Sequence, residues 1–255
     1  MSTILIDSHA SVLSASPVQP DVGLDDLLKL RTALVLEHPL NQAIGRDPAK
    51  LFLMFELYAD FVYDFTESVC RLFMALRDED MKAEIYENLV DEIGLGSTAE
   101  AAWKAQHGEL YRQFLHSLRR IEPYRATGLE RRIASIESAS QVISKRFYEA
   151  HALIIAEGDD LQSFAAFSTI ECWVCDLYAF WKRSLLSLGY SRDGLDMRTI
   201  DLHCICDVEH SAALDDLLRR KLPQGADALH RIRKGVVRGM VASEQLFSDI
   251  QRELA

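Results

Sequence analysis

Within the segment Asp201-Leu202-His203-Cys204-Ile205-Cys206-Asp207-Val208-Glu209-His210, steps of four, three and seven residues separate His203, Asp207 and His210. Such steps return side chains to one face of an α-helix, so the three can point at a single spot inside a bundle. Two imidazoles and a carboxylate suit iron, manganese or zinc. Leu202, Ile205, Val208 and Leu214 flank them in a stretch that otherwise reads as core-facing, which argues against a merely solvated polar face. A second stripe precedes it: Glu171, Cys175, Tyr178 and Lys182 recur at four, three and four residues among Phe164, Phe167, Ile170, Trp173, Leu177 and Trp181. Burying Glu171 there as an unpaired charge would cost several kcal/mol, so a cation is expected nearby. Lys182 could be that cation, or it could hold a substrate carboxylate.

Upstream lie Glu87-Asn88-Leu89-Val90-Asp91-Glu92-Ile93-Gly94-Leu95-Gly96 and Gln106-His107-Gly108-Glu109-Leu110-Tyr111. Paired acids before a glycine are common at helix ends, so spacing alone says little here. Cys172-x-x-Cys175 and Cys204-x-Cys206 invite a four-thiolate zinc site. Such sites usually sit in knuckle turns. Inside a helix the Cys204–Cys206 step turns about 200° and parts the thiols. The chain has no His-Glu-x-x-His, no glycine-rich phosphate loop and no Gly-x-Ser-x-Gly elbow.

The elements that must position these residues are helical. Only 6 of the 255 residues are proline, and after Pro48 only Pro123 and Pro223 interrupt the chain. Residues 1–23, rich in Ser, Ala, Pro and Asp, are expected to form a flexible leader. Helices are predicted over about 25–37, 48–77, 80–93, 98–120, 127–156, 160–188, 197–221 and 225–253. Ser97-Thr98 would cap the fourth, with Glu100 nearby, and Gly94 would end the third. Strand signals are nearly absent. The expectation is one all-α domain over 24–255, a bundle of about seven or eight helices.

Together these segments resemble the haem-oxygenase-like di-iron oxidases, a superfamily that also resembles the thiaminase-type proteins, the pyrroloquinoline-quinone synthase and the chlamydial death-domain-associating protein. His38-Pro39-Leu40 resembles an early His-Pro-hydrophobic turn. Asn88 to Gly96 resembles an Asn-x-x-(Asp/Glu)-Glu-x-Gly-x-Gly run followed by a helical histidine, His107. Glu171 stands 32 residues before His203, where a bridging glutamate falls, and His203–Asp207–His210 matches a closing His-x-x-x-Asp-x-x-His. The likeness spans about residues 36–215. It implies two Fe(II) ions with O2 as cosubstrate. Glu92, His107 and His210 would hold one iron, His203 and Asp207 the other, and Glu171 would bridge. The stretch from Glu92 to His107 is longer than the family's usual one, which leaves His116 as a substitute. Some relatives add a carboxylate from the first long core helix, where Glu56, Asp60, Asp64 and Glu67 are candidates and Glu67 is preferred. The implied outcomes are N-oxygenation, desaturation, C–C cleavage or decarboxylation of an amino-acid-like or fatty-acid substrate. A metal-free thiaminase-like enzyme and a helical binding protein are the alternatives. Tyr58, Tyr63, Phe65, Trp173 and Tyr178 could wall a substrate pocket, though each also suits core packing.

The net charge of −11 opposes nucleic-acid binding, and the short basic clusters are mixed with acids. The apolar stretch from Leu51 to Tyr63 is broken by Glu56 and Asp60, so no membrane attachment is expected. No basic stretch precedes an apolar core at the N-terminus, so the five cysteines read as reduced thiols in a cytoplasm. The expected partner is a small-molecule substrate, and self-association as a homodimer is left open.

Overall fold

A computed structural model describes residues 23–45, 47–95, 106–190, 194–224 and 227–255. The expected leader lies outside these residues except for Gly23, as do Ser97, Thr98 and Glu100. The described residues are helical and contain no strand. In chain order the helices are α1 (Leu24–Leu36), α2 (Pro39–Ile44), α3 (Pro48–Leu57), α4 (Ala59–Ala75), α5 (Glu79–Glu92) and α6 (His107–Leu118). They continue with α7 (Glu122–Ala126), α8 (Ile133–Ala156), α9 (Asp160–Ser187), α10 (Arg198–Lys221) and α11 (Ala228–Glu253).

Side-chain caps set many of the boundaries. The Asp47 carboxylate accepts from the amide of Ala49 at 2.9 Å, with Pro48 as the first helical residue of α3. Asp78 caps α5 through Met81 N–H at 3.1 Å, and Asp159 caps α9 through Gln162 N–H at 3.0 Å. At the other end of α5, Gly94 adopts φ 76°, a left-handed conformation that suits glycine. It lets Leu95 N–H reach Val90 O and Gly94 N–H reach Asp91 O, both at 2.9 Å, which closes the helix just past Glu92.

The predicted single helix over 48–77 is instead two, parted at Tyr58. The amide of Asp60 donates to Ser140 Oγ of α8 at 3.1 Å, and a side chain drawn into the backbone ladder is a recognised cause of helix breaks.

Helix α9 is the centre of the bundle: every residue from Leu161 to Glu171 is buried. Helices α1, α8, α10 and α11 pack around it, while α5 and α6 lean on α10 and on α4. One apolar cluster runs from Leu24 to Leu254. Arg31 of α1 is fully enclosed and donates to the Ser168 carbonyl at 3.0 Å and to Asp215 at 2.6 Å, tying α1 to α9 and α10. No described helix is long and apolar enough to cross a membrane.

Helix α11 approaches α9 backbone to backbone. A methyl group at Gly235 would clash with the Gln162 carbonyl, and one at Gly239, a turn later, would lie 2.7 Å from the Ala166 oxygen. Helix propensity alone favours alanine over glycine by about 1 kcal/mol. Overpacking typically costs about 1–3 kcal/mol, and the clash here is with backbone. Gly235→Ala should therefore lower stability in urea unfolding, and a stabilised variant would refute this close crossing.

Candidate metal centre

Four helices bring six side chains together. Glu92 comes from the last turn of α5, His107 from the first residue of α6, Glu171 from the buried middle of α9, and His203, Asp207 and His210 from one face of α10. All are buried except His210, which is partly exposed. Their donor atoms form two groups, Glu92–His107–His203 and Glu171–Asp207–His210, with the atoms of each group within 4.8 Å of one another.

Hydrogen bonds fix how the imidazoles face. His203 Nδ1–H donates to the Thr199 carbonyl one turn earlier at 2.7 Å, which leaves Nε2 as the free acceptor. His210 Nε2–H donates to Asp91 at 2.9 Å; its Nδ1 accepts from Asn88 Nδ2 at 3.2 Å and lies 3.9 Å from Glu171. A carboxylate behind an imidazole is how metal-binding histidines are commonly held. His107 Nδ1 is 2.8 Å from Glu92 Oε1, and the His107 and His203 rings meet edge to face at 4.9 Å.

The carboxylates are under strong electrostatic stress. Burial pushes Glu171 up to about 7, with nearby Glu92 adding to the rise against the pull of His210. Burial, then Glu171 and Glu92, drive Asp207 well above the usual carboxylate range. Burial also opposes ionisation of Glu92, but His107 outweighs it and the net direction is down. Burial and the neighbouring His107 hold His203 neutral, down to about 4. Glu171 Oε1 and Asp207 Oδ2 are buried without a hydrogen-bond partner. Unpartnered oxygens of this kind demand compensation, and a multivalent cation among three carboxylates and three imidazoles would supply it. The donor set, nitrogen and oxygen with no thiolate, suits iron.

Beside these groups is a cavity of about 20 Å³, room for a water-sized occupant. Tyr58, Phe61, Val62, Phe65, Val174 and Tyr178 form its apolar side, and Glu92, Glu171, His203 and Asp207 its polar side.

Other candidates lie elsewhere. Glu67 is exposed and pairs with Arg71; two residues beyond inward-facing Phe65, it points about 200° away. His116 is nine residues after His107 and so on the opposite face of α6, where it lines a surface groove. Glu56 is buried but taken by Arg119 at 2.6 Å and Tyr124 at 2.8 Å. Asp60 lines the same groove, and Asp64 accepts from Ser144 at 2.7 Å. Lys182 pairs with Asp201 at 2.8 Å and does not line the cavity. Eleven residues along α9 carry it about 16 Å from Glu171. Of the supposed aromatic wall, Tyr58, Phe65 and Tyr178 line the cavity; Trp173 binds Ser243 at 2.8 Å in the core and Tyr63 faces the groove. The flanking residues Ile205 and Val208 are exposed rather than core-facing. No cysteine is in either donor group, and all five are free thiols.

The partition of histidines also differs from the one the resemblance implies. His203 lies with Glu92 and His107, and His210 with Glu171 and Asp207. Seven residues separate the two along α10, about 10 Å, so one stands beside the start of α6 and the other beside Asn88 and Asp91 of α5. Thr199, Asn88 and Asp91 hold the imidazoles and were assigned no role from sequence. The signal was present in part, since Asn88, Asp91 and Glu92 share one face of α5.

The family model for the iron-containing redox enzymes, a haem-oxygenase-like family, matches residues 54–244. The chain belongs to that family. A search of curated proteins returned no match. Family membership supports an iron-dependent redox function for this chain, and the two donor groups are its candidate metal positions.

A testable consequence concerns the metal-free protein. A carboxyl whose folded pKa is raised holds its proton after the unfolded chain has released it. Its contribution to stability is therefore present below the unfolded value and lost as pH rises through the folded one. For Glu171 that window runs from about 4.5 to about 7. The stability advantage of Glu171→Gln over the metal-free wild type should grow across this window and then level off. A pH-independent difference in denaturant unfolding would contradict the buried, protonated carboxyl.

Proposed function

We propose that this chain is a di-iron oxidase that uses O2 to oxidise a small molecule whose reacting part is apolar. The observation that carries the reading is the pair of donor triplets, each with two or more buried ligands, placed side by side with unpartnered carboxylate oxygens between helices α9 and α10. Two Fe(II) ions in those triplets would supply the electrons for oxygen reduction and the oxidising power used on the substrate.

The protein's own part follows from its residues. Glu92, Glu171 and Asp207 bring three negative charges against the four positive charges of two ferrous ions, which offsets their burial. Thr199 holds the proton at His203 Nδ1 and thereby presents Nε2 to a metal, while Asp91 holds the proton at His210 Nε2 and leaves Nδ1, shared with Asn88 in the absence of metal, as the nitrogen that would turn to one. Phe61, Val62, Phe65 and Val174 exclude water from the cavity. Tyr58 and Tyr178 line it too, and the Tyr58 hydroxyl, which has no protein partner, is free to donate to an oxygen-bearing occupant.

No Lys or Arg lines the cavity among the described residues, which favours an alkyl portion of a fatty-acid or amino-acid-like substrate at the reacting end. No cysteine lines it either among the described residues, which disfavours a thiol-dependent, metal-free reaction at this cavity. The free thiols suit a reducing, cytoplasmic setting.

Asp207→Ala tests the assignment of roles. The change removes one of three donors from the group with Glu171 and His210 and leaves Glu92, His107 and His203 untouched. Iron content should fall toward half of the wild-type value and iron-dependent oxygen uptake should vanish, while far-ultraviolet circular dichroism stays helical. Retention of full iron and oxygen uptake would remove Asp207 from the centre.

A further inference from the structure

A line of oxidisable rings leads from the candidate metal centre to the protein surface. Tyr178 stacks on His203 with ring centroids 4.1 Å apart and planes 6° from parallel. Trp181 follows at 4.9 Å from Tyr178, and Tyr58 at 5.0 Å from Trp181. Tyr111 lies 6.3 Å from Tyr58, and Tyr63 lies 6.3 Å from Tyr111. Tyr63 is the only half-buried member; the others are fully enclosed. It opens on a surface groove of about 740 Å³ that it shares with Asp60, Arg112 and His116, and the Arg112 guanidinium sits 4.4 Å over its ring. Phenylalanine would fill such core positions as well, and Phe52, Phe55, Phe114 and Phe164 do so nearby. Tyrosine and tryptophan instead bring polar groups into the core, and the Tyr58 hydroxyl and Trp181 Nε1 have no hydrogen-bond partner there. Unsatisfied polar atoms are a cost that packing alone does not explain.

We propose that Tyr178, Trp181, Tyr58, Tyr111 and Tyr63 form a one-electron relay that carries oxidising equivalents from the metal centre to Tyr63 at the groove. The proposal rests on the reading of the site as an oxygen-activating iron centre, because the oxidant is that centre after reaction with O2 in the absence of substrate. One electron passes to it from Trp181 across the stacked Tyr178–His203 pair, so the iron centre is reduced by one electron and the indole is oxidised. Trp181 carries the hole without losing its proton, since Nε1–H has no acceptor beside it. Tyr58 likewise has no acceptor for a phenolic proton, Tyr178 meets only the Thr199 side chain, and Tyr111 donates to the Phe55 carbonyl at 2.8 Å; neither of these partners is a base. These three phenols therefore pass the electron on but do not keep the hole. Tyr63 is the first member beside water: it gives one electron inward and its O–H proton to the groove, becoming a neutral phenoxyl. A thiol in solution then returns a hydrogen atom to its oxygen and restores the O–H bond. The relay protects the buried ligands when the centre is oxidised with nothing to attack.

The test is electron paramagnetic resonance on iron-loaded protein, frozen after mixing with O2 without substrate, alongside iron content and oxygen uptake. Wild type should show a neutral tyrosyl signal that disappears in Tyr63→Phe. Trp181→Phe should weaken the same signal while iron content stays at the wild-type level, since Tyr58 also reaches Tyr178 directly at 6.5 Å. Tyr111→Phe interrupts the outer part of the chain and should abolish the signal, which covers the case in which the Trp181 variant does not fold. A protein that binds iron and consumes oxygen but shows no tyrosyl signal overturns the relay and leaves the oxidase reading standing. So does a signal that survives Tyr63→Phe or is undiminished in the interrupted chains. A wild type that takes up no iron overturns both.

Discussion

Three carboxylates, Glu92, Glu171 and Asp207, are each at least nine-tenths enclosed and crowd one another between helices of this bundle. Bulk water does not reach them and no described arginine or lysine is bonded to them, yet two of their oxygens have no hydrogen-bond partner at all. An isolated ionised carboxylate in such surroundings is so unfavourable that it takes up a proton or a cation. Everything distinctive about the site follows from that constraint. Without metal, the centre relieves the repulsion by keeping Glu171 and Asp207 protonated well above the usual range. With divalent metal, the same crowding becomes complementary charge.

The fold supplies the crowding through a few local devices. The left-handed turn at Gly94 ends α5 immediately after Glu92, and His107 opens α6, so a glutamate and a histidine from two helix ends meet at 2.8 Å. The long central α9 carries Glu171 at the end of its fully buried stretch. Helix α10 lies against α9, α5 and α6, which is why its single polar face can serve both donor groups. The close approach of α11 at Gly235 and Gly239 holds α9 from behind. Asp91, Asn88 and Thr199 then orient the imidazoles before any metal arrives. Such preorganisation reduces the ordering that binding would otherwise require.

Much of this was legible in the sequence, for identifiable reasons. The repeat of His203, Asp207 and His210 is a property of one helix, and helical periodicity holds whatever surrounds it. Glu171 amid aromatic residues was conspicuous because an unpaired buried acid needs an explanation. What could not be read depends on how helices are rotated and offset against their neighbours. The face of α4 that turns inward is set by packing on α8, and it carries Phe61, Val62 and Phe65 rather than Glu67. Lys182 shares a helical stripe with Glu171 but stands too far along the axis, and Asp201 of α10 engages it instead. Which histidine joins which carboxylates follows from the offset between α10 and α5, and no spacing within α10 reveals it. The break at Tyr58 likewise needs Ser140, 80 residues away in sequence, to attract the amide of Asp60.

The central claim is that the two donor groups each hold one iron. Anaerobic titration of the metal-free protein with Fe(II), followed by Mössbauer spectroscopy of the loaded sample, tests it most directly. The account predicts saturation at about two irons per chain, in two ferrous environments of nitrogen and oxygen ligands, one of which is lost when Glu171 and Asp207 are both replaced by their amides. Saturation at one iron, or binding unaffected by that double replacement, would contradict it.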